Sequence, residues 1–106
     1  MKKVKIMKIA RLYTDKHNES VFEDFEIELE NISEIGYLST RFPVREIIFR
    51  ETDGDYRYDF HNAPERQFIV MLNGEIEIET PKGEKRCFRS CDILLAEDTT
   101  EKGHRS

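Results

Sequence analysis

From Gln67 to Thr80 the chain reads QFIVMLNGEIEIET. An apolar run meets Asn73-Gly74, and the pattern then switches to strict alternation of glutamate and isoleucine. Alternation with a period of two puts successive side chains on opposite faces, which is the geometry of a β-strand and not of a helix. Asn-Gly between two such runs is the strongest short-range hairpin signal, because both residues tolerate the positive φ that tight turns require. Arg66–Leu72 is therefore expected to be a nearly fully buried strand, and Glu75–Thr80 a strand with one wet face.

The rest of the chain repeats this signature. Residues 4–9 are read as a strand with Val4, Ile6 and Lys8 on one face and Lys5, Met7 and Ile9 on the other, and the run ends near Tyr13. Val21–Leu29 sets Phe25, Ile27 and Leu29 on one parity against Asp24, Glu26 and Glu28 on the other. A short strand is expected around Tyr37 after Gly36. Arg45–Glu51, REIIFRE, is a further β-rich run, with a turn at Thr52–Asp55 leading to a partner at Tyr56–Phe60. Pro81-Lys82-Gly83 turns the chain between Thr80 and a strand over 84–88, and Asp92–Glu97 is the last strand. Short strands joined by tight turns, with no helical period, no internal repeat and no linker, predict one all-β domain over residues 1–106.

Composition narrows the function classes. The 106 residues carry a net charge of −5, and the lysines at 2, 3, 5 and 8 alternate with apolar residues along a strand instead of forming a phosphate-gripping patch. Nucleic acid is not expected as a partner. No apolar run reaches the length of a membrane span, and the N-terminus lacks the continuous apolar stretch of a signal peptide, so a cytoplasmic protein without membrane association is expected. Two cysteines, Cys87 and Cys91, make neither a disulfide framework nor a structural zinc site, and reduced thiols are expected.

The sequence from His61 to His104 resembles the cupins, in particular small single-domain cupins with an H-x-A-P-x-R-Q-F stretch. The family's first motif, H-x-H followed by Glu and Gly, corresponds to His61, Ala63, Gln67 and Gly74. Its second, with a glycine, P-x-G, Asp and a later histidine, corresponds to Gly83, Arg89-Ser90-Cys91-Asp92, Asp98-Thr99-Thr100 and Gly103-His104. The resemblance implies a double-stranded β-helix, or jelly-roll barrel, with a ligand site inside it. A further strand normally follows the histidine matched by His104, so the barrel is expected to be incomplete at the C-terminus or to have an edge covered by a partner. Cys91 stands where the family has a turn glycine, and a positive φ there would cost about 1 kcal/mol relative to glycine.

In a metal-binding cupin these motifs supply two histidines, a carboxylate and a third histidine. Here the set is reduced to His61, Gln67 and His104, and a neutral amide is a poor ligand for Fe, Mn, Ni or Zn. The resemblance with these departures implies a weakly bound divalent metal or none. Strand parity groups Arg57, Asp59 and His61 with Gln67, Ile69 and Met71, a polar mouth over an apolar floor suited to a small polar molecule. Gln67 can donate and accept hydrogen bonds there, and Arg66 faces the other way, toward an ion pair or a subunit contact. The expected function is small-molecule binding. The alternatives are a metal-dependent dioxygenase or isomerase and a sensing or structural domain without chemistry. The opposite parity carries Tyr56, Tyr58, Phe60, Phe68, Val70 and Leu72, an apolar face large enough to predict a homodimer that covers it.

Overall fold

A computed structural model describes residues 3–51 and 65–98, in which every regular element is a strand and no helix occurs. The strands are β1 (Val4–Thr14), β2 (Ser20–Ser33), β3 (Gly36–Leu38), β4 (Gln67–Val70), β5 (Glu75–Glu79), β6 (Lys85–Arg89) and β7 (Ile93–Ala96). Hydrogen bonding orders five of them β3-β2-β1-β7-β4 and pairs β5 with β6 in a second sheet. The chain divides into two compact units, one of residues 1–8 and 26–56, the other of residues 9–25 and 57–106.

The second unit holds the core. Its frame is one long hairpin bent upon itself. β4 runs antiparallel to β7 from the Gln67–Ala96 pair to the Val70–Ile93 pair. The ladder continues through the Met71 amide to the Asp92 carbonyl (2.9 Å) and the Cys91 amide to the Met71 carbonyl (2.8 Å). Beyond it β5 pairs with β6, from Glu75–Arg89 to Glu79–Lys85. Between these ladders Met71–Gly74 on the outgoing arm faces only Ser90–Asp92 on the return arm. This mismatch, with Gly74 at φ 87° and Cys91 at φ 76°, lies where the two arms leave the first sheet for the second. Asn73-Gly74 therefore does not close a hairpin between β4 and β5, as its dipeptide predicts. It carries the chain from one sheet to the other.

The fold-over brings Ile76, Ile78 and Phe88 against Leu12, Phe22, Ile69, Met71 and Leu94. Phe22 and Phe88 approach with ring centroids 6.0 Å apart, within the range of favourable tilted aromatic pairs. β7 lies between β1 and β4, parallel to β1 through Ala10–Leu94 and Leu12–Ala96 and antiparallel to β4. Leu94, Leu95 and Ala96 are buried, as a strand paired on both edges and covered on both faces requires. The Arg11 guanidinium lies on the other face of β1 from Leu12 and joins Glu23 and Glu97, while Arg66 also donates to Glu97. Arg66 is thus in an ion pair on the face opposite Gln67.

The first unit contains the start of β1, the remainder of β2, and β3. β2 and β3 pair antiparallel through Glu30–Leu38 and Asn31–Tyr37, with an irregularity before the Ser33–Gly36 pair. Lys5 lies over the Tyr37 ring, 4.4 Å from its centroid. Along β2 the buried parity changes: Ser20 and Phe22 are buried near its start, whereas Phe25, Ile27 and Leu29 are half-buried farther on. Residues 39–51 form no strand, so the β-rich run REIIFRE, expected as a strand, joins no ladder. The all-β class stands; the jelly-roll closure expected of a cupin is a finer statement than these two units carry.

Candidate functional site

The core face of the second unit ends in polar residues, and strand alternation puts them there. Along β7 the parity of Leu94 and Ala96 continues to Asp98, which is completely buried. Along β1 the parity of Ala10 and Leu12 continues to Thr14, and on β4 Gln67 stands opposite Ala96 at the half-buried start of the strand. Ser20, buried at the start of β2, donates its hydroxyl to Asp98 Oδ2 at 3.0 Å. Thr14 Oγ1 is buried and meets no hydrogen-bond partner among the described residues. A buried hydroxyl without a partner is uncommon and marks a place where a polar group can be accepted.

Two turns border this end. At the β5–β6 tip the buried Thr80 hydroxyl accepts the Glu84 amide at 3.2 Å, and Glu84 Oε1 accepts the Phe22 amide at 3.3 Å. Between β1 and β2 Asp15 Oδ1 accepts the amides of His17 (2.8 Å) and Glu19 (3.0 Å), and Lys82 Nζ stands 3.9 Å from Asp15 Oδ2. The Glu19 amide foremost holds the Asp15 carboxyl below its ordinary pKa. His17 is an exposed turn residue.

Of the residues expected to line the site, Gln67 is placed on the face with Ile69 and Met71, as parity predicts. Arg57, Asp59, His61 and His104 lie outside the described residues, as do Tyr56, Tyr58 and Phe60 of the expected apolar face. Within that face Phe68 is half-buried, whereas Val70 and Leu72 are exposed. The buried Ser20, Thr80 and Asp98 were not singled out by sequence as a group. Asp98 sits in an acidic run, EDTTE, that reads as a solvated loop, and only extension of the Leu94–Ala96 parity reveals it.

The described residues supply no group of three His, Cys, Asp or Glu side chains arranged to hold a metal. Gln67 offers an amide only, so the part of the expected donor set that is placed does not favour a divalent ion. Both cysteines are exposed and free. Comparison with known proteins finds no matching family profile, curated protein or solved structure.

Proposed function

We propose that this protein binds a small polar molecule at the Gln67 end of the core face, in the manner of a small cupin with a weakly bound metal or none. The carrying observation is the buried Thr14 hydroxyl without a partner, on the same core face as Gln67. An apolar floor of Leu12, Ile69 and Leu94 with a few convergent polar groups is the usual composition of a ligand site. The cupin reading draws support from Cys91, whose positive φ is what the family's turn glycine would serve.

His61 precedes Gln67 by six positions and His104 follows Asp98 by six, so either imidazole is within a chain reach of roughly 20 Å of the site. In this reading they line the site with Arg57 and Asp59, and Arg57 holds the charge of a carboxylate or sugar-like ligand. A thermal-shift screen of carboxylates and sugars tests the proposal, because a bound ligand stabilises the native state by mass action. Stabilisation that disappears in Gln67→Ala and His61→Ala is the expected result. Stabilisation unchanged by both, or no stabilisation across the panel, removes the site. Metal analysis of protein purified without chelator is expected to find less than one equivalent. A stoichiometric metal lost on His61→Ala would replace the proposal with the metal-dependent oxygenase or isomerase reading.

A further inference from the structure

Residues 45–51, Arg-Glu-Ile-Ile-Phe-Arg-Glu, are the largest apolar exposure among the described residues. Ile47, Ile48 and Phe49 are 77, 81 and 81% exposed, and Val44 is 70% exposed. β-branched and aromatic residues of this kind favour a pleated, half-buried strand, yet the segment belongs to no ladder. An exposed β-prone segment that belongs to no ladder is a template for pairing with another chain.

The charges around the apolar centre select the partner. In an antiparallel pairing of two copies centred on Ile48, Ile48 faces itself and Ile47 faces Phe49. Glu46 then faces Arg50, and Arg45 faces Glu51. Each ion pair occurs twice, and every charge has an opposite charge across the ladder. Moving the centre by half a residue places Arg45 against Arg50. Centring on Ile47 sets Arg45 against Phe49 and Glu46 against Ile48. A parallel in-register pairing stacks each charge on its own kind. Only the Ile48-centred antiparallel register is complementary throughout.

We propose that residues 45–51 are a self-recognition strand, through which two copies of this chain form a two-fold symmetric dimer by antiparallel pairing centred on Ile48. One face of the ribbon joins Ile47 and Phe49 of both copies, flanked by Arg45–Glu51 pairs. The other carries the Ile48 pair, flanked by Glu46–Arg50 pairs. Arg45 and Arg50 each hold an interaction already, and a guanidinium with five donors accommodates a second. The same patch serves both subunits, as a two-fold interface demands. The contact is small, so the dimer is concentration-dependent instead of obligate. It uses none of the residues proposed to hold the ligand. It is built from other residues than the expected dimer face of Phe68, Val70 and Leu72.

Sedimentation equilibrium of the full chain from micromolar to submillimolar concentration tests this. The wild type is expected to pass from monomer to dimer. Arg45→Glu sets like charges opposite each other twice and is expected to weaken the dimer about tenfold or more. Arg45→Glu with Glu51→Arg restores the alternation of signs and is expected to recover affinity to within about threefold. Ile48→Lys is expected to abolish the dimer. These positions are exposed and outside the core, and circular dichroism confirms that each variant folds. A wild type that stays monomeric overturns the proposal, as does a dimer indifferent to Arg45→Glu and Ile48→Lys. Failure of the charge swap to restore a dimer lost in Arg45→Glu overturns it as well.

Discussion

Cys91 shows how a single backbone angle can be read from sequence and what it costs. It occupies a position where the cupin resemblance implies a glycine, and its φ of 76° lies in the left-handed region that disfavours a Cβ. Cys91→Gly should relieve that strain, partly offset by the greater freedom of glycine in the unfolded chain, for a net gain of about 0.5–1 kcal/mol. Urea unfolding would show it as a raised midpoint at unchanged slope; an unchanged or lowered midpoint would mean the turn carries no strain. Glu97 gives a residue-scale prediction in pH. Burial pushes its carboxyl up, but hydrogen bonds and charge from Arg11 and Arg66 outweigh this and leave it below the ordinary value. A carboxyl depressed by folding adds stability that is fully present above its unfolded pKa and is lost as pH falls through its folded one. Glu97→Gln should therefore lower stability near neutrality and flatten the acid side of the stability profile. A variant that keeps the wild-type acid slope would remove Glu97 as a contributor.

At the scale of elements, period-two patterning revealed the strands but not their partners. The expected strands over 66–72, 75–80, 84–88 and 92–97 each overlap an observed one, and the Gln67, Ile69, Met71 face follows directly from alternation. What alternation lacks is range. Asn73-Gly74 specifies a local φ, which Gly74 adopts at 87°, yet the same angle serves a hairpin or a passage between sheets. The choice is made by burial: Ile76, Ile78 and Phe88 leave water only when β5–β6 folds over Leu12 and Leu94. Asp98 was obscured for a similar reason, because a carboxylate in an acidic run becomes a core-face residue only once Ser20 from a distant strand supplies its hydroxyl. Gly74→Ala tests the corner. A Cβ there meets nothing within 4 Å, so the cost is backbone strain alone, about 1 kcal/mol. Circular dichroism and urea unfolding should report a native fold with a lowered midpoint. A fold lost outright would show that the corner's angle, more than the burial it leads to, decides the topology.

The whole molecule distributes stability unevenly. All the buried hydrophobic side chains among the described residues, Ile9, Leu12, Phe22, Ile78, Phe88, Leu94, Leu95 and Ala96, belong to the second unit. Residues 39–51 of the first contribute neither strand nor buried apolar side chain. Segments with few buried contacts open at low free energy, and proteases cut where the backbone is open. Trypsin should therefore cleave after Arg41, Arg45 and Arg50 well before Arg86 and Arg89, which β6 holds in its ladder. Leu94→Ala should cost about 2–5 kcal/mol and make the β6 sites accessible, because it opens a cavity where β1, β4 and β7 meet. Concentration adds a second axis. If 45–51 pairs with a second copy, cleavage after Arg45 and Arg50 must slow as protein concentration rises, while Arg41, outside the paired register, stays exposed. Mass spectrometry of early digests at low and high concentration reads the ratio directly. Cleavage after Arg45 that keeps a fixed ratio to Arg41 at every concentration would leave the exposed isoleucines without the partner their charges select.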